Sequence, residues 1–174
     1  MSQESSRKTY RIRKAVADDG PRLLELIHAL ADYESLSPPD HTAGERLLRD
    51  AFGAHPRFDV YLSTVDDRAV GYAVVFETYS TFLALPTLFL EDLFVLPDHR
   101  GYGAGKALFL HCVREALRRG CGRMDWTVLD WNASARAFYH RLGARHLSDW
   151  EYYRLDGEAM RRLLERQPDG SFIS

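Results

Sequence analysis

Leu90-Glu-Asp-Leu-Phe-Val-Leu-Pro-Asp-His-Arg-Gly-Tyr-Gly-Ala-Gly-Lys106 is the stretch that decides the fold of this 174-residue chain. From Thr87 to Val95 the run is almost unbroken in its apolar character, interrupted only by the carboxylates Glu91 and Asp92. Such a run suits a central strand covered on both faces. Pro97 and Asp98 stop it, and a glycine-rich turn follows from Arg100 to Gly105. Ala107, Leu110, Val113 and Leu117 then recur at helical spacing. The unit is strand, glycine turn, helix. Glycines let a backbone approach a ligand closely, and the first turn of a helix leaves N–H groups without acceptors. With the helix dipole, these make a site for an anion such as phosphate.

Two familiar phosphate loops are excluded by spacing. A Walker loop needs four residues between its first glycine and Gly-Lys, followed by Ser or Thr; Gly101 and Gly105-Lys106 enclose three, and Ala107 follows. The dinucleotide fingerprint would need a third glycine at Lys106 or Leu108. What remains is Arg-x-x-Gly-x-Gly, from Arg100 to Gly105. Taken alone, those six residues are equally compatible with an ordinary turn between strand and helix.

Outward from that unit, Tyr10 to Ala15 alternates as a short strand. Asp18 and Asp19 precede a helix with Leu23, Leu26, Ile27, Leu30 and Ala31 on one stripe, ending near Tyr33-Glu34. Thr42 is the expected cap of a second helix, closed by Gly53 and Pro56. Phe58 to Val65 and Ala69 to Tyr79 read as strands joined by an Asp66-Asp67-Arg68 turn, with a loop from Ser80 to Pro86. Beyond the helix of residues 104–119, Met124 to Leu129 reads as strand, and Asn132 opens a helix that Gly143 ends. His146 to Leu155 reads as a last strand and Glu158 to Glu165 as a last helix. Strands linked by short turns imply an antiparallel meander, and strand-helix-strand passages imply parallel pairing. The expected fold is α/β, a mixed sheet of antiparallel meander plus parallel strands with helices on both faces. Ligands settle beyond strand ends where such a topology changes, and the glycine turn lies there.

Composition narrows the function. A net charge of −2 gives no basic bias toward nucleic acid, and no run approaches a membrane span in length. Cys112 falls on the inward stripe of its helix and Cys121 beside glycines, without metal-ligand spacing. Seven histidines are scattered without a cluster, so no metal is expected. Met1 to Lys8 lacks the apolar core of a signal peptide, and a cytoplasmic location is expected.

Arg100 to Gly105 resembles the coenzyme A pyrophosphate loop of the GCN5-related N-acetyltransferase (GNAT) superfamily, and the element order agrees from about residue 10 to 165. More narrowly, Ala31-Asp-Tyr-Glu34, Phe52-Gly-Ala-His-Pro56, Leu90 to Val95, Arg100 to Gly105, and Trp131-Asn132 with Phe138-Tyr139 resemble the diamine acetyltransferases, the spermidine/spermine and thialysine enzymes. The resemblance implies acetyl transfer from acetyl-CoA, as co-substrate, to a primary amine by direct attack. It implies that Leu93, Phe94 and Val95 hold the pantetheine arm and that Arg100, Gly101, Tyr102, Gly103, Ala104, Gly105 and Lys106 form the pyrophosphate loop. Asn132, Ala133, Ser134 and Ala135 would contact the coenzyme farther along. Glu91 matches the base position and Tyr139 the acid; Tyr33, Glu34 and Asp92 match the amine-binding region. The partners so implied are a small-molecule amine and a second copy of the chain in a homodimer. One N-acetyltransferase domain is expected over residues 9–166, between a disordered tail at 1–8 and a C-terminal tail at 167–174.

The chemistry asks for those residue types independently. An alkylamine has a pKa near ~10.4, so about one molecule in a thousand is nucleophilic at neutral pH. A carboxylate base answers that, and a tyrosine hydroxyl can protonate the departing thiolate. Glu91 and Asp92 are adjacent, so strict strand alternation points them to opposite faces unless a bulge intervenes. In one place the chain departs from the polyamine enzymes. Where those carry Asp and Trp, it has Thr78-Tyr79-Ser80-Thr81-Phe82, without the carboxylate for a distal ammonium. Shorter diamines or amino acids with a side-chain amine are therefore expected above spermidine and spermine. Competing readings are acetylation of a protein lysine or N-terminus, and a non-catalytic acyl-CoA sensor that keeps the loop without the acid and base.

Overall fold

A computed structural model describes residues 9–165. The expected tails at 1–8 and 167–174 lie outside the described residues. Compactness divides the chain between Thr127 and Val128.

The first unit carries the sheet. Its elements in order are β1 (Arg11–Lys14), α1 (Gly20–Glu34), α2 (His41–Phe52), β2 (Asp59–Val65), β3 (Arg68–Ser80), β4 (Leu85–Val95), α3 (Ala104–Arg118) and β5 (Arg123–Trp126). The five strands lie in sequence order. β1 to β4 pair antiparallel, and β5 joins β4 in parallel through the α3 crossover. The mixed sheet agrees with the expectation. Asp66 and Asp67, both at positive φ, form the two-residue turn between β2 and β3, a conformation that suits the twist of a hairpin.

Alternation assigns the faces. Val60, Leu62, Tyr72, Val74 and Phe94 cluster with Leu23 and Leu26 of α1 and Ala51 of α2. Tyr61 points the other way, its ring 4.5 Å from that of His111 on α3. Ala73 and Val75, one residue out of step with Tyr72 and Val74, share that second face. Helices therefore cover both faces, which is why β3 and the first part of β4 read as near-continuous apolar runs.

Several local expectations are corrected. Asp40, not Thr42, caps α2, accepting from the N–H of Ala43 at 2.8 Å. Asp19 precedes α1 as expected, but its side chain is used elsewhere than on the helix N–H groups: both its oxygens take Arg13 at 2.7 Å, and one also accepts from the Val16 N–H. The charge-assisted pair outcompetes the cap. The loop expected from Ser80 to Pro86 shrinks, because Ser80 and Leu85 are already paired across the β3–β4 hairpin. β5 stops at Trp126 rather than reaching Leu129.

The second unit contains α4 (Ala133–Arg141) and α5 (Gly157–Glu165). Asn132 caps α4, and Gly143 follows it at φ 87° as a left-handed terminator. The strand expected from His146 to Leu155 does not form: a turn at Ser148-Asp149, with the Trp150 N–H on the Leu147 carbonyl, breaks it. Alternation of Trp, Tyr and Leu signals a strand only where a neighbouring edge supplies the ladder.

Candidate active site

β4 changes face at Glu91. Leu90 is opposite Val75 of β3, but Asp92 is opposite Val74, so Glu91 is an extra residue without a cross-strand partner. This is a β-bulge. Without it, Asp92 would follow Leu88 and Leu90 onto the α3 face; with it, Asp92 shares a face with Tyr72, Val74 and Phe94 under α1. Glu91 itself is exposed. The adjacency of the two carboxylates is thus resolved by a bulge rather than by simple alternation. The β4–β5 ladder ends at the same point, at Leu90 opposite Trp126. Leu93, Phe94 and Val95 continue along β3 beyond it.

Acidic groups converge beside the bulge. The Tyr72 hydroxyl donates to Asp92 Oδ2 at 3.2 Å. Burial pushes the Asp92 carboxyl up to about 6, and the charges of Glu91 and Glu34 push the same way, while the Tyr72 hydrogen bond opposes them. Burial also raises Glu34, the last residue of α1. Tyr72 is raised, first by burial and then by the neighbouring Asp92 charge. Tyr33, Glu34, Glu91 and Asp92, predicted from sequence as base and amine-binding residues, therefore lie on elements that meet here. Tyr72 was not among them. Alternation in β3 could have placed it on the α1 face, but its pairing with Asp92 depends on the bulge.

Arg100 links this region to the glycine loop. Its Nε donates to the Val95 carbonyl at 2.8 Å, and its guanidinium lies 4.5 Å from the centre of the Tyr33 ring and 5.4 Å from that of Phe94. Gly101 and Gly103 take left-handed φ of 80° and 96°, and Gly103 is the N-cap of α3. The first intrahelical bond runs from the Ala107 N–H to the Gly103 carbonyl at 2.9 Å. The N–H groups of Gly103, Ala104, Gly105 and Lys106 accordingly lack an intrahelical acceptor. A Cβ built on Gly101 or Gly103 would meet nothing within 4 Å, so open space lies beside the backbone of both. At Gly105 a Cβ would touch Val95 Cγ2 at 3.7 Å, so this glycine faces the helix–strand contact instead. Tyr102 stands exposed between the first two glycines.

The remaining predicted residues belong to the second unit. Asn132 Oδ1 accepts from the Ala135 N–H and the Ser134 hydroxyl, both at 3.1 Å, at the start of α4 with Ala133. Tyr139 is on α4, its ring packed at 5.1 Å from that of Phe138.

The fold is shared with solved structures: an integron cassette protein from the mobile metagenome of Vibrio cholerae superposes with a TM-score of 0.76 at 24% identity, over 90% of this chain and 98% of that one. Sequence comparison is more specific. The model of the acetyltransferase (GNAT) family matches residues 23–144. A thialysine N-epsilon-acetyltransferase of Sus scrofa is 36% identical over 163 residues, 87% of this chain and 95% of that protein. An L-ornithine N5-acetyltransferase of Arabidopsis thaliana is 36% identical over 93 residues, 53% of this chain and 41% of that protein. The chain belongs to the GNAT acetyltransferase family. It is an acetyltransferase, and the acyl donor of that family is acetyl-CoA.

The loop fits such a donor. Its open N–H groups suit a pyrophosphate, and the left-handed glycines leave the approach clear. Cys112 is buried, and burial pushes its thiol up to about 12, which does not suit an acyl-carrying nucleophile. Among the described residues no helix is long and apolar enough to cross a membrane, and no group of three His, Cys, Asp or Glu side chains could hold a metal ion.

Proposed function

We propose that this enzyme acetylates the terminal primary amine of a small amino acid or short diamine, by direct attack and without an acyl-enzyme. The observation that carries the reading is the convergence of Glu34, Glu91, Asp92 and Tyr72 at the bulge of β4. Such a cluster favours the approach of a cation. Two relatives named for thialysine and ornithine, each an amino acid with a side-chain amine, support the substrate class. Residues 9–166 act as one catalytic domain in this reading, because the family match runs through residues 23–144 without regard to the division at Thr127.

Acetyl-CoA supplies the thioester. Backbone N–H groups from Gly101 to Lys106 hold its pyrophosphate; Leu93 to Val95 and Asn132 to Ala135 contact the rest of the coenzyme. Asp92 and Glu34 hold the substrate's cationic groups, with Tyr33 beside them. Glu91 accepts the amine's proton, directly or through water, and the Tyr139 hydroxyl delivers a proton to the departing sulfur. The roles of Tyr139 and of residues 132–135 rest on the family pattern.

A panel of primary amines, assayed for coenzyme A release, tests the reading. Turnover should be highest with ornithine-, lysine- or thialysine-like amino acids and short diamines. Preference for spermine or for a lysine-containing peptide would overturn it. The family pattern also leads us to a homodimer; sedimentation of a fully active monomer at assay concentration would dispose of that.

A further inference from the structure

We propose that Tyr72 is a positioning residue for amine recognition: its hydroxyl aims Asp92 and keeps that carboxylate ionised for the incoming cation. The inference rests on the reading of Asp92 as an amine-binding group. It starts from three observations. Tyr72 is fully buried, between the sheet and α1. Its hydroxyl reaches one oxygen of Asp92 at 3.2 Å. The bulge at Glu91 is what brings Asp92 to that hydroxyl, since unbroken alternation would send the carboxylate to the opposite face.

The plainer account is that Asp92 merely satisfies a buried tyrosine. Energetics argue against that direction of dependence. A phenol hydroxyl can be satisfied by a neutral acceptor at modest cost, whereas burying an ionised carboxylate without a cation is expensive. Here the carboxylate also faces like charges from two elements, Glu91 beside it on β4 and Glu34 from α1. The guanidinium of Arg100 is engaged with the Val95 carbonyl and the rings of Tyr33 and Phe94. Burial, Glu91 and Glu34 all disfavour the charged form of Asp92, and the Tyr72 hydrogen bond favours it. It fills one of about four acceptor positions on the carboxylate, which keeps capacity for the three donors of an ammonium. The arrangement suits a ligand that brings its own positive charge.

The test is Tyr72→Phe in the full chain, which deletes one oxygen and keeps the ring. Two readouts are needed: the titration of Asp92 by carbon-13 carboxyl NMR in the free protein, and the pH profile of the amine KM. A hydrogen bond to a charged group is worth enough to move the Asp92 midpoint upward, from about 6 to about 7 or above. The amine KM should then rise roughly threefold near pH 6.5, approach tenfold near pH 5, and return toward wild type above pH 8, with the KM for acetyl-CoA unchanged. Adding the substitution to Asp92→Asn should cause no further rise in amine KM, because Tyr72 acts through Asp92. An unmoved Asp92 titration would overturn the role of Tyr72. A titration that moves while the amine KM profile does not would instead overturn Asp92 as the amine-binding group, and the proposal with it.

Discussion

At Asp92 the proposed amine-binding role conflicts with folding at a single residue. Its carboxyl binds its proton more tightly in the fold than in an unfolded chain, with a midpoint raised from 3.8 to about 6. The group therefore contributes stability below about pH 4 that is lost as pH rises through about 6. Asp92→Asn should relieve the penalty: chemical denaturation at pH 7.5 should show a gain of about 1–3 kcal/mol, shrinking to nothing near pH 4. The same variant should raise the amine KM while kcat holds. Equal stability of variant and wild type at both pH values would show that the site does not strain the fold. Glu91 and Tyr139 separate differently. Glu91→Gln should lower turnover by about 10²–10⁴-fold at neutral pH, with the defect narrowing as pH approaches the amine's own pKa. Tyr139→Phe should keep its defect at high pH, because in the proposed mechanism it removes the proton donor and leaves the supply of neutral amine intact. Matching pH profiles for the two variants would mean that the roles are misassigned.

At the scale of elements, the glycine turn and α3 form the part most legible in the sequence. A strand run, a turn with left-handed glycines and an immediate 3.6-residue period agree with one another, and the structure follows them. Gly103 and Gly105 look alike in the sequence but differ in place. Gly103→Val should abolish acetyl-CoA binding in calorimetry at a folding cost of about 1–2 kcal/mol for the left-handed backbone, since its Cβ enters open space. Gly105→Ala should disturb binding much less, because its Cβ turns toward Val95. Retained affinity in a folded Gly103→Val protein would place the phosphate elsewhere. The illegible parts have a common physical cause. The bulge at Glu91, the Tyr72–Asp92 pair and the role of Arg100 all depend on which residue lies across the sheet or under a helix, and no local period carries that information. The missing strand at 146–155 failed for the same reason, since its residue pattern suits a ladder that the local turn prevents.

For the molecule as a whole, the acidic site and the sheet's opposite face pull stability in opposite directions with pH. On the α3 side, Arg119 bonds Asp59 at 2.7 Å, the Tyr61 hydroxyl at 3.0 Å, Glu77 at 3.3 Å and Glu115 at 3.4 Å, tying the end of α3 to β2 and β3. Glu115 is drawn from 4.5 down to about 2, chiefly by its hydrogen bonds to Arg118 with Arg119 assisting. Burial works to raise Asp59, but Lys14 and Arg119 outweigh it and hold it low. These depressed groups contribute stability above about pH 4.5 that is lost as pH falls toward about 2. Asp92 acts with the opposite sign, its contribution disappearing as pH climbs through about 6. Between them these groups favour a stability maximum at about pH 4–5, below neutrality. Thermal or urea unfolding across pH 3–8 should show that maximum, and each side should respond to its own substitution. Asp92→Asn should flatten the decline between about pH 4 and 6 and leave the acid limb in place. Arg119→Met should cost about 2–3 kcal/mol near neutrality, by removing the cation that Asp59 and Glu115 share, and should make the acid limb shallower without abolishing it, because Lys14 and Arg118 remain. Because Arg119 lies on the face opposite Asp92, the amine KM should not change with it. A stability profile that rises steadily through pH 8 would mean that Asp92 ionises in the fold without cost, and the tension between its charge and its burial would have to be abandoned.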